Sequence, residues 1–380
     1  MCGKMLEIAD PVHGQILLPY DIVQIINTPQ FQRLKNIKQL GVMFVNKPEA
    51  VHTRYDHCIG TYWASKRMLN KLEINSKWIT KDKDWPVYRL SVEIAGLLHD
   101  IGHGPFSHAW ETVVENYNHE WNAIPCVNAI FRQLDSSIFN NLRANRNFGI
   151  ELIKALIVGE PNLLSTPMPE QYLFVFEIVN NKQCSLDVDK WDYLNRDHHC
   201  LKDFCNPDMN FIDVFLNAAV TDDGKHIQYR YEDYDKIYKL FTARFEFHLK
   251  AYRMQKNLAC DYVLRKIIMD NNFKIDKKDI TEITARDMDL FLKFTDDCVF
   301  DLIKDTVDFN CFKYPKQIEL VDSSQPYDFI LNNAFKGPGE EMPPDTQFHF
   351  YGDISKKASI KRDTKGVNEM LYFKFDKSIL

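Results

Sequence analysis

Apolar positions recur at helical spacing along most of the chain and give way to a period of two near its end. Residues 20–42 read as two helices joined at Thr28-Pro29, with Asn27 and Thr28 as cap residues and Pro29 in the first helical turn. Ile59, Trp63, Met68 and Leu72 repeat at roughly helical spacing over 56–73. Residues 88–101 form another apolar helix, ending at Gly102, and a further one starts at Ser107 and runs to about Tyr117. More helices are predicted near 122–134, 149–157, 170–180, 187–199, 208–219, 233–270 and 286–305. TDDGKHIQYRYE (221–232) reads as a hairpin turn and strand, because Asp-Gly favours tight turns. Past about residue 310, KQIELVD, QFHFYGDI and LYFKFD alternate, and GPGEEMPP (337–344) is a loop. The expected fold is mainly α, with a helical domain over 1–310 and a small α+β region over 311–380.

Composition narrows the function classes. A chain of 380 residues, 45% hydrophobic and 26% charged, has enough material for a large helical core. The net charge of −6 speaks against a broad nucleic-acid-binding surface, though a few Arg and Lys side chains can still build a phosphate pocket. Nucleic acid is therefore not indicated as a partner. The nine cysteines are scattered, with no CxxC pair, which argues against a cysteine zinc site and for reduced thiols. No run of about 18 apolar residues occurs, so no membrane segment is expected. The expected compartment is the cytoplasm, with the nucleus left open; no dense Lys/Arg block marks nuclear import.

The chemistry gathers in LLHDIGHGPFSH (97–108). His99 and Asp100 are adjacent, His57 lies in HTRYDHC, and Asp189 lies in DVDKWDY. Imidazole nitrogen and carboxylate oxygen suit zinc, iron or manganese. Neighbouring residues cannot share one regular helical face, but at a helix end both can converge on one ion, and Gly102 fits such an ending. The Gly-His-Gly-Pro turn brings His103 and His108 towards the same site, since imidazoles are costly to bury without a partner. Two further stripes support a pocket: Asp189, Tyr193 and Asp197, and Arg244, His248 and Tyr252, each spaced by four.

His57, His99-Asp100 and Asp189 resemble the H…HD…D signature of HD-domain phosphohydrolases. DPVHG (10–14), TPQFQRLKNIKQLG (28–41), LLHDIGHGPFSH (97–108) and IVNNKQCSLDVDKWDYLNRD (178–197) resemble the deoxynucleoside triphosphate triphosphohydrolases among them. The similarity covers most of residues 6–310 in order and is greatest to members that join a sterile alpha motif to the HD domain. That motif itself is expected to be absent, with no room for it before residue 6. The resemblance implies cleavage of a dNTP between the 5′ oxygen and the α-phosphorus, giving deoxynucleoside and inorganic triphosphate. It implies one transition metal (zinc, iron or manganese) on His57, His99, Asp100 and Asp189, with magnesium accompanying the substrate phosphates. It implies catalytic roles for His103, His108 and His119, with His108 as proton donor and Glu111 holding its ring. It places Tyr252 against the deoxyribose, Gln39 and Asp197 on the 3′ hydroxyl, Leu40 where a 2′ hydroxyl would clash, and Arg54, Lys190 and Arg244 on the phosphates. Tyr193 and His248 join them through the two stripes. A homo-oligomer, dimer or tetramer, is a further expectation.

The pattern departs from the family in places. Glu111 stands where Asp is usual, and Arg253 replaces a base-proximal Gln. The relatives' guanine-nucleotide regulatory site uses a Lys, an Asn, an Asp and an Arg at positions that here hold Leu6, Ala9, Asn27 and Lys35; only Gln32 is kept. Activation by a guanine nucleotide is thus expected to be lost or altered. Competing readings are a nucleotidase or phosphodiesterase acting on another nucleotide, and a non-catalytic nucleotide or nucleic-acid binder.

Overall fold

The computed structural model describes residues 5–134, 139–306, 309, 312, 318–321, 329–335, 342, 348–351 and 367–375. A hairpin of β1 (Met5–Asp10) and β2 (Gly14–Pro19) leads into α1 (Tyr20–Ile26) and α2 (Pro29–Gln32), which meet at Thr28-Pro29. The helical body continues with α3 (Arg54–Asn75), α4 (Trp85–Leu98), α5 (His108–Val113), α6 (His119–Gln133), α7 (Asn140–Val158) and α8 (Val188–Leu201). It closes with α9 (Ile212–Asn217), α10 (Tyr234–Phe247), α11 (Gln255–Asp270), α12 (Met288–Lys293) and α13 (Asp296–Ile303). The fold is mainly α, as the periodicity predicts.

The long helix α3 is the axis of the body. It packs against α4, α8 and α9, and its Cys58, Tyr62, Met68, Leu69 and Leu72 are fully buried. The approach of α8 depends on Gly60, where a Cβ would stand 1.8 Å from Asp192 Oδ1. On α4, Val92, Ile94, Ala95, Leu97 and Leu98 are likewise buried, an apolar run that carries the chain inward and delivers His99 and Asp100 to the interior.

Several predicted elements differ in detail. The helix over 88–101 starts earlier, at Trp85 with Pro86 in its first turn, and stops at Leu98, leaving His99 and Asp100 in the turn beyond it. Gly102 is not among the glycines with positive φ, so it is no left-handed cap; it is small because a Cβ there would stand 2.1 Å from the His119 carbonyl oxygen. The single helix over 233–270 is broken: a π-helical turn spans His248–Tyr252, and the chain is extended at Met254. The Arg253 N–H donates to His248 O at 3.0 Å, and the Asn257 side-chain amide satisfies Ala251 O at 2.7 Å, so the break leaves these groups paired. The helix over 286–305 divides at Thr295, whose side chain accepts from Cys298 N. The stretch 170–180 is 3₁₀ over Glu170–Glu177.

Strands are few. β3 (Ala219–Val220) and β4 (Ile227–Arg230) form the predicted 221–232 hairpin around Gly224. The short β5 (Lys274–Ile275) and β6 (Lys278–Asp279) pair with each other. KQIELVD, QFHFYGDI and LYFKFD contain β7 (Ile318–Val321), β9 (His349–Tyr351) and β10 (Val367–Phe375), and β8 (Phe329–Phe335) is an addition. β7, β10 and β8 form an antiparallel sheet in that order, while β9 lies parallel to β4. The predicted loop at 337–344 lies outside the described residues except for Met342.

One buried acid holds the segment after α4 in place. Phe106 and Ser107 adopt φ of 59° and 57°, the left-handed region, although neither is glycine. Asp296, fully buried at the start of α13, accepts from Phe106 N at 2.7 Å and from Lys38 N at 2.9 Å. Burial pushes its carboxyl up to about 6, against those two hydrogen bonds. Ser107 Oγ donates to Lys38 O at 2.6 Å and accepts from Arg54 Nε at 2.8 Å. Asp296→Ala leaves the buried Phe106 N–H and the partly buried Lys38 N–H unpaired and is expected to destabilise the protein by about 2–4 kcal/mol, seen as a lower urea midpoint. Asp297→Ala, at the exposed neighbour, is expected to leave the midpoint unchanged.

Candidate active site

α3 and the turn after α4 bring His57, His99 and Asp100 into one compact group of possible metal ligands, and Asp189 from the first turn of α8 joins it through the two histidines. His57 Nε2 lies 3.1 Å from His99 Nε2, 3.3 Å from Asp100 Oδ2 and 3.0 Å from Asp189 Oδ1. His99 Nε2 lies 3.4 Å from each of those two carboxylate oxygens. Ligands about 2.1 Å from a common ion stand roughly 3.0–3.4 Å apart, which the His57–His99 spacing and each imidazole–carboxylate spacing match. Two imidazole nitrogens facing each other at 3.1 Å also call for a positive centre between them. The electrostatics agree. Burial opposes a charge on His57, yet Asp100, Asp189 and Asp192 outweigh it and hold the imidazole well above its ordinary range. Arg54 bonds Asp100 directly and, with His99 and His103, overrides burial to keep that carboxyl well below the usual range.

The turn 102–107 then leads to a second cluster. His103 is fully buried, and neither of its ring nitrogens makes a well-aligned hydrogen bond. Its ring stacks on His119 at 3.9 Å, and its Nε2 is 3.2 Å from Asp100 Oδ1. Burial, then Arg54 and His119, hold its pKa well below the ordinary value, so His103 is neutral. Glu111 sits beneath two rings, reaching His108 Nδ1 at 2.8 Å and His119 Nδ1 at 2.6 Å. Those two hydrogen bonds overcome burial and keep Glu111 ionised. His108, two-thirds exposed, turns its free edge to the cavity.

This cavity, about 780 Å³, extends from the four-ligand point to α11. Gln39, Leu40, Arg54, Lys190, Tyr193, Asp197, Arg244, His248 and Tyr252 all line it. Tyr252 donates to Asp197 Oδ2 at 2.5 Å, and Gln39 Oε1 is buried without a partner. Lys190 Nζ is 3.1 Å from Asp187, the N-cap of α8, and Arg244 Nε donates to Tyr193 Oη at 3.2 Å. Burial, followed by Arg244 and Arg253, lowers His248 to about 3, so it too is neutral. Arg253, Leu258, Asp261 and Arg265, from the break and from α11, also line the cavity.

Some residues of the site carry no role in the sequence reading. Asp192 and His13 back His57, and His52 Nε2 meets Asp197 Oδ1 at 2.7 Å beside Tyr252. Asp192 and Arg196 are spaced as an i, i+4 ion pair, which is a visible signal; His52 offers none. The departing positions Leu6, Ala9, Asn27 and Lys35 are all exposed, away from the cavity lining, while Gln32 donates to Ile26 O at 2.7 Å.

Comparison with known proteins fits this arrangement. Residues 54–154 match the HD domain, a span that holds His57, His99 and Asp100. The chain is 29% identical to deoxynucleoside triphosphate triphosphohydrolase SAMHD1 of Bos taurus, over 94% of this chain and 65% of that protein. It is 30% identical to the Homo sapiens protein of the same name, over 89% of this chain and 56% of that protein. It is also 30% identical to an HD domain-containing protein of Acanthamoeba polyphaga mimivirus, over 78% of this chain and 64% of that protein. The chain thus spans less than two thirds of the length of each of these relatives.

The His52–Asp197 pair generates a pH prediction. Burial alone would lower His52, but Asp197, with Cys200, raises it to about 9 from 6.5. A raised histidine pKa stabilises the fold fully below 6.5, and that stability is lost as pH rises through about 9. Thermal melts between these limits should show a fall on the order of 3 kcal/mol that His52→Gln flattens.

Proposed function

The chain belongs to the HD-domain proteins and is a homologue of the deoxynucleoside triphosphate triphosphohydrolases, and on that premise we propose that it hydrolyses dNTPs to deoxynucleoside and inorganic triphosphate. The reading is carried by one cavity that joins metal-ligating, cationic and polar side chains. His99, Asp100 and Asp189 of the ligand group line it together with Gln39, Leu40, Asp197 and Tyr252. Arg54, Lys190 and Arg244 line the same cavity, and cations there offset the charge of a triphosphate.

His57, His99, Asp100 and Asp189 are the residues that would hold a divalent transition metal, which supplies Lewis-acid polarisation of a phosphoryl oxygen and a lowered pKa for bound water. Its identity, zinc, iron or manganese, is left to metal analysis, and magnesium accompanies the substrate phosphates in this proposal. The chain's own groups supply the rest. A 5′ alkoxide is a poor leaving group, and His108, held by Glu111, is placed to give it a proton. Glu111 also orients His119, and neutral His103 stacks on that ring without adding charge. The longer Glu111, where relatives carry Asp, spans both histidines at once.

Sugar selection follows from polar pairing and crowding. Tyr252 and Asp197 are already bonded to each other, and Gln39 Oε1 lacks a partner until a 3′ hydroxyl donates to it. Leu40 fills the space that a 2′ hydroxyl requires, giving deoxy- over ribonucleotides. We further propose that guanine nucleotides are not required. Leu6 and Ala9 present no charge where relatives contact an activator, and Asn27 offers no carboxylate for guanine N–H groups. The proposal includes a homo-oligomer, dimer or tetramer, a boundary near 310 between helical domain and tail, and a cytoplasmic or nuclear location. Among the described residues, no helix is long and apolar enough to cross a membrane.

Chromatography of products from each dNTP and rNTP tests the reading. Inorganic triphosphate is expected from dNTPs with and without GTP; monophosphate or pyrophosphate would point to a different nucleotide hydrolase, and a strict GTP requirement would sink the activator argument. His108→Ala is expected to lower kcat roughly 10²–10⁴-fold while metal content stays at the wild-type level.

A further inference from the structure

The DPVHG turn at 10–14 has no part in the chemistry above, yet it is tied to the metal ligand His57 by an unbroken buried chain. Asp10 Oδ1 accepts from the Val12 and His13 N–H groups at 2.8 Å, closing the β1–β2 turn. Asp10 Oδ2 accepts from Arg196 Nη2 at 3.0 Å, and Arg196 grips Asp192 through Nε and Nη2, both at 2.9 Å. His13 Nε2 meets Asp192 Oδ1 at 2.7 Å, and His57 Nδ1 meets Asp192 Oδ2 at 2.7 Å. Asp192 and His57 are wholly inaccessible, and the His13, Arg196 and Asp10 side chains nearly so.

The chemistry of this chain is directional. A carboxylate gripped by a guanidinium only accepts, so His57 Nδ1 carries the hydrogen, and Nε2 is the nitrogen left to give a lone pair to a metal. That lone pair faces His99, Asp100 and Asp189. His99 reaches the same tautomer by a local route, through Nδ1 to Gly96 O one turn back at 2.9 Å. Among the described residues no backbone carbonyl bonds His57 Nδ1; beside a long contact with Thr61 Oγ1 at 3.4 Å, its close partner arrives from α8 and is itself held by the N-terminal hairpin. Gly60, directly below on α3, leaves the space that Asp192 Oδ1 occupies.

We infer that Asp192 is the positioning residue that makes His57 Nε2 a metal donor, and that the DPVHG turn, through His13 and the Asp10–Arg196 pair, is a structural part of the metal centre. The inference rests on the metal-site reading of His57, His99, Asp100 and Asp189. It follows that the order of the hairpin over residues 5–19 sets metal affinity, although no residue of that hairpin reaches the ion.

The test uses the full chain and Co(II), titrated by visible absorption, with retained metal measured after gel filtration. Asp192→Asn is expected to weaken Co(II) binding 10–100-fold and shift its spectrum, in the range seen when an outer carboxylate of a metal-bound histidine is lost. His13→Ala should weaken binding too, and His13→Gln, whose amide can still donate to Asp192, should restore it. Should Asp192→Asn fail to fold, the His13 pair decides. Wild-type affinity and spectrum in His13→Ala, or equal losses in His13→Ala and His13→Gln, overturn the inference. A wild-type chain that takes up no Co(II) would instead overturn the metal-site reading beneath it.

Discussion

Two imidazole nitrogens facing each other at 3.1 Å, flanked by the buried carboxylate of Asp100 and the partly buried one of Asp189, set the terms for the rest of the molecule. Such a group is costly to bury unless a positive charge sits within it. The apolar faces of α3 and α4 therefore do more than fill a core. They hold His57, His99 and Asp100 against dissociation into solvent, while the first turn of α8 supplies Asp189 and, three residues on, Asp192. The small residue at Gly60 is the condition for α8 coming this close.

The segment between the metal ligands and His108 answers a second constraint. In the proposed reaction Asp100 and His108 serve different ends and must be near each other without sharing a helix. The chain manages this with two left-handed non-glycine residues, Phe106 and Ser107, held by Asp296 and Lys38. Strain of this kind persists only where the surroundings over-determine it. The outcome is a neutral buried His103 beside Asp100 and an exposed His108 backed by Glu111.

Much of this was readable from residue pattern. LLHDIGHGPFSH announces a helix end with ligands in it, and the four-residue stripes through Asp189 and Arg244 point to cavity-lining faces. The structure gathers each of those residues into one site. What stayed hidden has common causes. The β1–β2 hairpin is largely solvated and alternates weakly, so its strands carry little signal. The π turn at His248–Tyr252 ends where the Asn257 amide, six residues on, caps Ala251 O, a side-chain contact that the helical period does not announce. Gly102 looks like a cap in one dimension but is small because of His119 O, which is distant in sequence. The roles of Asp192 and His13 depend on a meeting of segments 179 residues apart.

The account stands or falls on where the phosphate ester is opened. Hydrolysis of dNTP in H₂¹⁸O, with both products weighed by mass spectrometry, answers this directly. Attack on the α-phosphorus predicts one ¹⁸O in the inorganic triphosphate and none in the deoxynucleoside. Label in the deoxynucleoside hydroxyl, or in a released monophosphate or pyrophosphate, would contradict it.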